Sequence, residues 1–342
     1  MISIRMADRP DPGRLMQMSW SFAAPLLVEA GVRTGLSDLL EGEPRTIEQT
    51  AAASGASKRG IAVLMYALAG LELLHRDETG RFGLTPESAA FLVSSKPEAN
   101  LGKTFSHIST QLIPAWLDLV EVVRTGRPAT GRDNLLEKGA FFASFVESIL
   151  PLGWPAASAL AEHLRIEEAE SEPSVLDIGA GSGVYSIPFA LRSPKVRITA
   201  VDLPEVLKVT QRIAERYGIG DRLKTVAGDM AEVNFGSGHH VATIGQILHG
   251  HDGVSNRKLL EKIYAALAPG GVVAIAEFLV KPDRSGPLIG LIFAANMLVN
   301  TEAGNTYSFE EVHGWLKDAG FEQVRMFDVP GPSSLILATR PR

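Results

Sequence analysis

The segment from Val175 to Gly183 constrains the fold more than any other part of the chain. Its sequence, Val-Leu-Asp-Ile-Gly-Ala-Gly-Ser-Gly, predicts a buried strand that ends in a tight, glycine-rich turn. Because glycine has no side chain, such a turn lets the backbone approach a ligand at the amino end of the following helix. The same glycines also fit a purely structural turn, so the residues around them must decide between the two interpretations.

The spacing within this turn separates two classes of cofactor. The glycines follow a Gly-x-Gly-x-Gly pattern, and Val184 stands where a nicotinamide-binding fingerprint starting at Gly179 requires glycine. Asp177 lies two residues before the first glycine. Its carboxylate would repel a diphosphate and attract a cationic amino acid group. The pattern therefore disfavours a dehydrogenase.

Acidic residues stand at the ends of the next two predicted strands: Asp202 is the last residue of one, and Asp229 comes just after the other. Asp202 stands 21 residues beyond Gly181, close to the separation of about 20 residues at which a carboxylate accepts the hydroxyls of a ribose. Asp229 and Met230 suit an adenine, because a carboxylate accepts a hydrogen bond from the adenine amino group and a thioether packs on the adenine ring. Both assignments have structural alternatives: Asp202 is also a candidate cap for the helix starting at Pro204, and Met commonly fills gaps in a core. We expect these residues to meet at the carboxyl ends of the strands.

The periodicity of the sequence changes at residues 171–173. Before this point it is mostly helical, and after it short apolar runs alternate with amphipathic segments. We therefore predict a mostly helical domain at residues 1–170 and, at residues 171–342, a Rossmann-like, doubly wound α/β domain with a mainly parallel sheet. The predicted strands are Ser174 to Ile178, Val196 to Asp202, Leu223 to Ala227, Val241 to Gln246, Val272 to Leu279, Gln323 to Val329 and Ser334 to Thr339, the last two forming a hairpin. Helices are predicted at residues 288–299 and 309–319.

A helix–turn–helix and a hairpin are predicted within the N-terminal domain. Thr46 and Ser57 are suited to cap two consecutive helices, and residues 73–84 have the pattern of a hairpin, which together describe a winged helix. The best-known use of this arrangement is DNA binding. Its second helix, however, offers only Lys58 and Arg59 for phosphate contacts. We therefore expect its apolar surface to be buried against another subunit or the rest of the chain.

Composition limits the partners and the location. The chain has 342 residues, a net charge of −6 and no cysteine, which excludes disulfides, thiolate nucleophiles and Cys-ligated zinc and disfavours nucleic acids and anionic membranes as partners. Residues 22–30 are unlike a signal peptide, because Pro25 and Glu29 interrupt the apolar run. Residues 287–299 are too few for the roughly 20 that span a membrane and predict a buried helix. We expect a cytoplasmic protein that acts on small molecules.

With these residues identified, the chain resembles, over nearly its whole length, the small-molecule O-methyltransferases that include plant caffeate and isoflavone enzymes, hydroxyindole methyltransferases and bacterial antibiotic-tailoring enzymes. The resemblance implies a homodimer formed through the N-terminal winged-helix region, S-adenosylmethionine as cofactor, S-adenosylhomocysteine as product, and no metal. His249 matches the position of the family's general base, and Glu277 that of the Glu that orients it. A second family Glu should fall within residues 304–308, where Thr306 stands instead.

The expected function is transfer of a methyl group to a hydroxyl of a small, aromatic natural product, with His249 as general base. C- or N-methylation and an S-adenosylmethionine-responsive winged-helix regulator of DNA are the alternatives. His249, His251 and Asp252 also have spacing that suits a metal, although we expect none. The cofactor set further includes Leu203 and Gln246. The candidates for the acceptor pocket are Phe142, Phe145, Trp154, Phe293, Met297 and Asn300. Aromatic residues and Met at helical spacing are also typical of a protein core, which is the structural alternative for most of them.

Overall fold

The computed structural model describes residues 11–342 except 97–98, 130–138, 140, 144, 169–171, 328, 330 and 332. The chain divides into two compact units, Met1–Leu112 and Ile113–Arg342. The second unit thus contains the helices between residues 113 and 164 together with the sheet, whereas the change in sequence pattern places a boundary near residue 170. That boundary stays a prediction about where independent domains begin.

The first unit is mostly helical, and its helix ends are set by local capping. Thr46 and Gln49 form a reciprocal capping box, and the Ser57 hydroxyl accepts a hydrogen bond from the Gly60 amide. The two helices and the antiparallel pair of strands predicted here are therefore present. The elements are α1 (Gly13–Ser19), α2 (Ala23–Arg33), α3 (Leu36–Leu39), α4 (Ile47–Ser54), α5 (Lys58–Gly70), β1 (Leu74–Arg76), β2 (Phe82–Leu84), α6 (Pro86–Phe91) and α7 (Gly102–His107), followed by a π-helical turn, Ile108–Leu112.

The second unit is built on a seven-stranded sheet. Its strands are β3 (Ser174–Ile178), β4 (Arg197–Asp202), β5 (Leu223–Ala227), β6 (His239–Gly245), β7 (Leu267–Glu277), β8 (Glu322–Phe327) and β9 (Ser334–Thr339). They lie in the order β5-β4-β3-β6-β7-β9-β8. Strands β3 to β7 are parallel, and β9 pairs antiparallel with both β7 and β8. The predicted doubly wound, mainly parallel sheet is confirmed.

Helices cover both faces of this sheet. Alternation along β3 sends Val175 into the core on one face and Leu176 and Ile178 into the core on the other, as a parallel sheet buried on both sides requires. The helices of the unit are α8 (Ile113–Trp116), α9 (Leu119–Thr125), α10 (Leu150–Leu164), α11 (Ile187–Arg192), α12 (Pro204–Arg216), α13 (Gly253–Ala266), α14 (Leu288–Asn300) and α15 (Phe309–Asp318).

The apolar helix α14 differs from the sequence prediction of a buried helix. Its C-terminal half is buried at Met297 and Val299, but Leu288, Ile289 and Ile292 near its start are exposed, Leu288 by 71%. An unbroken apolar sequence does not distinguish a helix enclosed on all sides from one that packs through one half only. Among the described residues, no helix has both the length and the apolar character needed to cross a membrane.

Candidate active site

The glycine turn after β3 adopts a backbone that side chains disfavour. Gly179, Gly181 and Gly183 have φ values of 62°, 56° and 76°, in the left-handed region that glycine enters at little cost. A Cβ at position 179 would lie 2.3 Å from the Ile247 Cδ1 atom. Glycine is therefore required at position 179 both by the turn and by the approach of the segment that follows β6.

Asp202 fixes this turn from the neighbouring strand. Its Oδ2 atom accepts a hydrogen bond from the Gly181 amide at 2.8 Å, and its Oδ1 accepts one from the Leu203 amide at 2.7 Å. Burial raises the pKa of Asp202, and these two amides oppose the rise. The α12 helix has Leu203 at its N-cap position without a side-chain hydrogen bond. Asp202 is therefore tied to the glycine turn rather than acting as the cap of α12.

Asp177 is buried in the sheet, although the sequence predicts that it contacts the cationic amino group of a ligand. It is 2% exposed, and its two oxygens accept hydrogen bonds from the hydroxyls of Ser186, at 2.6 Å, and Thr243, at 2.8 Å. Burial raises the pKa of Asp177 to about 7, and the two hydroxyls oppose that rise. In this geometry Asp177 joins β3, β6 and the start of α11, and a direct contact with a cationic amino group stays a prediction.

Asp229 and Met230 lie at the carboxyl end of β5, as the sequence predicts for the third strand of the domain. The Asp229 Oδ1 accepts a hydrogen bond from the Ala231 amide at 2.8 Å, which closes a turn. The Met230 Cε atom lies 3.6 Å from the point that a Cβ at Gly179 would occupy. The structure therefore brings the thioether of Met230 to the glycine turn.

Gln246 occupies the end of β6 in a left-handed conformation, with φ 60°. Its amide donates to the Ala276 carbonyl at 2.8 Å, and its side-chain amide donates to the Ser333 hydroxyl at 2.6 Å. The Oε1 atom of Gln246 is buried without a hydrogen-bond partner among the described residues. A buried acceptor of this kind is costly unless it is paired, which makes Gln246 a good candidate for a ligand contact.

His249 and Glu277 form the pair that the sequence predicts. The Nδ1 atom of His249 lies 2.8 Å from the Glu277 Oε2, and the His249 amide donates to the Glu277 Oε1 at 3.3 Å. The side chains are 13% and 5% exposed. Two contacts from one carboxylate fix both the backbone and the ring of His249.

Aromatic residues surround the open side of the His249 ring. Phe293 from α14 meets the imidazole edge-to-face, with 4.8 Å between ring centroids, and Phe278 packs against Phe293 at 4.4 Å. Met297, one turn further along α14, is buried. Phe293, a predicted acceptor residue, is therefore in contact with His249.

Polar groups continue the same face of α14. Asn300 donates to the Asn296 side-chain oxygen at 3.0 Å, and the Trp116 indole donates to that oxygen at the same distance. Asn296 was not predicted from the sequence. Its spacing of three residues from Phe293 and four from Asn300 would have placed it on their face of the helix.

The three remaining aromatic candidates for the acceptor pocket contact other aromatic rings. Phe142 is exposed and packs against Phe141, which also stacks with Phe145. Trp154 stacks on Tyr217, beyond the C-terminal end of α12, with 5.0 Å between centroids. The structure thus gives Trp154 a packing contact with Tyr217, and its role in lining the acceptor pocket stays a prediction.

Thr306, which stands in place of the second Glu of the family pattern, bonds to the backbone of α14. Its hydroxyl donates to the Gly290 carbonyl at 3.2 Å, and the residue is 1% exposed. The neighbouring Asn305 amide nevertheless donates to the His249 carbonyl at 2.9 Å. This segment therefore supports the His249 backbone without a second carboxylate at position 306.

The segment after His249 is occupied by structural contacts. Asp252 caps α13 by accepting from the Ser255 amide at 2.7 Å, and the Tyr307 hydroxyl donates to the His251 carbonyl. Among the residues that the structure describes, no group of three or more His, Asp or Glu side chains is arranged to hold a metal ion.

Three residues important to this geometry carried no signal in the sequence. Ser186 and Thr243 became significant only when the fold placed their hydroxyls on Asp177. Gly304 is similar, since a Cβ there would lie 2.5 Å from the His249 carbonyl oxygen. Hydroxyls and single glycines are too common in loops for their positions to identify such contacts.

Comparison with known families accounts for both units. An O-methyltransferase domain model matches residues 159–322, and an O-methyltransferase dimerisation domain model matches residues 16–94. The chain is 32% identical over 317 residues to 3-hydroxy-5-methyl-1-naphthoate 3-O-methyltransferase of Streptomyces sahachiroi, covering 91% of this chain and 90% of that one. It is 28% identical to the tetracenomycin polyketide synthesis 8-O-methyl transferase TcmO of Streptomyces glaucescens, over 97% of both chains.

Solved structures agree with this relationship. PigF with S-adenosylhomocysteine has a TM-score of 0.83 at 25% identity, covering 96% of this chain and 99% of that one. Human N-acetylserotonin methyltransferase in complex with S-adenosylmethionine shares the fold, with a TM-score of 0.82 at 23% identity over 98% and 99% of the two chains. The chain belongs to the O-methyltransferase family and is an S-adenosylmethionine-dependent methyltransferase.

Proposed function

We propose that this enzyme methylates a hydroxyl group of a small aromatic natural product and that His249 is its general base. The observation that carries the proposal is the 2.8 Å contact between the His249 Nδ1 and the Glu277 Oε2 atoms, with Phe293 against the same imidazole. This arrangement combines a base, a group that orients the base, and an aromatic wall. These are the parts that methylation of a phenol needs.

The residues at the carboxyl ends of β3, β4 and β5 fit S-adenosylmethionine. Gly179 and Gly181 keep the turn free of side chains of its own in a left-handed backbone, which is the kind of turn that lets a ligand approach the main chain. Each Asp202 oxygen accepts one hydrogen bond from the protein and retains a lone pair for a ribose hydroxyl. Met230 reaches the same turn to contact the adenine ring. Asp229 would accept a hydrogen bond from the adenine amino group. Gln246 and Leu203 are the remaining residues proposed to bind the cofactor.

The methionyl end of the cofactor has two candidate partners, Asp177 and Gln246. Asp177 has hydroxyl partners on both oxygens, so we propose that it acts mainly by joining β3, β6 and the start of α11 on either side of the glycine turn. The unpaired Oε1 of Gln246 supplies a buried acceptor at the same sheet edge. When bound, S-adenosylmethionine supplies an electrophilic methyl group on a sulfonium.

The pairing with Glu277 fixes the tautomer that a base requires. A carboxylate at Nδ1 keeps the proton on that nitrogen and leaves Nε2 with a free lone pair. Reference pKa values of about 10 for a phenol and 6.5 for His make complete proton transfer before attack unfavourable by about 5 kcal/mol. The negative charge of Glu277 stabilises the imidazolium and lowers this cost. Correct placement of the acceptor oxygen supplies further acceleration.

An aromatic acceptor is supported by the surroundings of His249 and by the relatives. Phe278 and Phe293 offer rings on which a planar acceptor packs favourably. The related proteins include enzymes named for a naphthoate, a tetracenomycin polyketide and a phenazine. We infer the same class of fused aromatic acceptor for this chain. The dimerisation domain model at residues 16–94 supports a homodimer formed through the first unit.

The test is incubation with labelled S-adenosylmethionine and a panel of hydroxynaphthoates, hydroxyphenazines and simple phenols. We expect label in an O-methyl product, identified by mass fragmentation. His249→Ala should lower kcat by about 10²- to 10⁴-fold, the range typical of general acid–base catalysis, with unchanged affinity for S-adenosylhomocysteine. Normal turnover of the variant would exclude an imidazole base. A C- or N-methyl product would show that the enzyme methylates carbon or nitrogen and not the proposed hydroxyl oxygen.

A further inference from the structure

Lys262 makes an unusual set of contacts for a lysine near a protein surface. It lies on α13, and its Nζ atom donates to the carbonyls of Met230, at 2.8 Å, and Ala231, at 3.1 Å. The same ammonium lies over the Phe235 ring, 4.3 Å from its centroid. One side chain therefore fixes two consecutive carbonyls of the turn that carries Met230.

The Lys262 ammonium is partly shielded from solvent. Partial burial lowers the pKa of Lys262, and the negative charges of Asp229 and Glu232 oppose the change. Contacts of a cation with carbonyl dipoles and an aromatic face strengthen as water is excluded. These contacts also offset the conformational entropy lost when a long lysine side chain is held in one position.

The helix that carries Lys262 also supports the segment of the catalytic pair. Asn256, six residues earlier on α13, is fully buried and donates to the Leu248 carbonyl at 2.9 Å. Leu248 directly precedes His249 in the chain. The α13 helix thus holds the His249 segment near its start and the Met230 turn near its end.

We propose that Lys262 is a positioning residue for adenine recognition, acting by holding the Asp229–Met230–Ala231 turn in its binding conformation. This inference rests on the proposed assignment of Asp229 and Met230 to the adenine. Lys262 acts from behind the turn through backbone carbonyls, so it contributes to cofactor affinity without contacting the reacting atoms. Its loss should affect binding of the adenosyl group and leave the methyl-transfer step unchanged.

The experiment compares Lys262→Met, which keeps the length but removes the charge, with Lys262→Arg and the control Lys258→Met. Lys258 is an exposed lysine one helical turn earlier on α13. Calorimetric titration of the full-length protein with S-adenosylhomocysteine should show affinity about tenfold weaker for Lys262→Met, equivalent to about 1.4 kcal/mol. Lys262→Arg should recover most of the loss, and Lys258→Met should match the wild type.

A second ligand separates this role from general destabilisation. S-inosylhomocysteine carries an oxygen in place of the adenine amino group, so the ratio of its affinity to that of S-adenosylhomocysteine measures recognition of that amino group. We expect this ratio to approach one in Lys262→Met, with kcat at saturating cofactor within about twofold of the wild type, since a loss of binding that is equal in the ground state and the transition state raises KM alone. A structural defect alone would lower the fraction of active protein without changing the ratio.

Asp229→Asn distinguishes failure of this inference from failure of its premise. If Asp229→Asn weakens S-adenosylhomocysteine binding while Lys262→Met binds as the wild type does, the role of Lys262 is overturned and the adenine assignment stands. If neither variant weakens binding, the adenine assignment falls and the inference falls with it.

Discussion

Glu277 carries two tasks at once, because its carboxylate contacts both the amide and the ring of His249. Its Oε2 atom also accepts a hydrogen bond from the Phe278 amide at 3.3 Å. A neutral amide in its place preserves the shape but cannot stabilise the imidazolium. Its NH₂ group, if it faces Nδ1, also favours the wrong tautomer.

We therefore expect Glu277→Gln to lower kcat by about 10²- to 10⁴-fold. The KM for S-adenosylmethionine should change little, because the cofactor residues lie on other strand ends. Steady-state kinetics with the cofactor varied at saturating acceptor would measure both parameters. A loss confined to KM would assign Glu277 to cofactor binding instead.

The raised pKa of Asp177 predicts that the free energy of unfolding depends on pH. Burial raises the pKa of its carboxyl from 3.8 to about 7, so between these pH values the folded protein holds a proton that the unfolded chain releases. The free energy of unfolding from this group is therefore highest below pH 4 and falls as pH rises to about 7. Each pKa unit corresponds to about 1.4 kcal/mol.

Asp177→Asn removes this dependence. The free energy of unfolding of the variant minus that of the wild type should therefore increase by at least about 1.4 kcal/mol from pH 4.5 to pH 7.5. Urea unfolding of both proteins without cofactor at the two pH values measures this difference. A stability difference that does not vary with pH would mean that Asp177 remains ionised throughout.

Individual site residues were predictable where the chemistry is encoded in a short segment. The turn at Gly179, Asp202 at the end of the next strand, and the pair of His249 and Glu277 all lie at the expected strand ends. The environment of Asp177 was not predictable, since its Thr243 partner is 66 residues away and is brought close only by the pairing of β3 with β6.

At the scale of elements, the strand pattern was clear but its ends were not. The sequence predicts that β7 starts at residue 272, because Pro269, Gly270 and Gly271 have the composition of a turn. In the structure the Gly270 amide donates to the Arg340 carbonyl and the Arg340 amide donates to Gly271, both at 2.8 Å. Leu267 itself pairs with His239 of β6. Pairing with the segments on both sides therefore extends the strand to Leu267, which local sequence cannot reveal.

The end of β6 depends on a close contact between elements. A Cβ at Gly245 would lie 2.3 Å from two carbons of the Tyr185 ring, and Tyr185 is buried with its hydroxyl bonded to Ser333. Since the ring cannot move into solvent, an added methyl group would force the two elements apart.

We expect Gly245→Ala to lower the free energy of unfolding by about 1–3 kcal/mol, the usual cost of overpacking a core. Gly314→Ala is the matched control, because a Cβ on that residue of α15 meets no atom within 4 Å. The control should be neutral or slightly stabilising. Equal stability of the two variants in urea unfolding would show that the Tyr185 ring readily finds another position.

At the scale of the whole molecule, the chain combines a methyltransferase unit with a unit that matches a dimerisation model. The first helix of the latter exposes apolar side chains along its length, among them Leu15, Met18 and, directly after it, Trp20, which is 66% exposed. Exposed apolar side chains in such density mark a surface that another chain covers. Within the proposed homodimer, we infer that α1 belongs to the interface.

Sedimentation equilibrium should accordingly give twice the chain mass of 36.7 kDa. Trp20→Glu should raise the dimer dissociation constant by about 30-fold or more, because burying a central Trp at an interface commonly contributes about 2 kcal/mol and the new carboxylate would be costly to desolvate. Met326→Glu is the control, since Met326 is also exposed but belongs to β8 of the other unit. A Trp20→Glu protein that remains dimeric as tightly as this control would remove α1 from the interface and place the association elsewhere within residues 16–94.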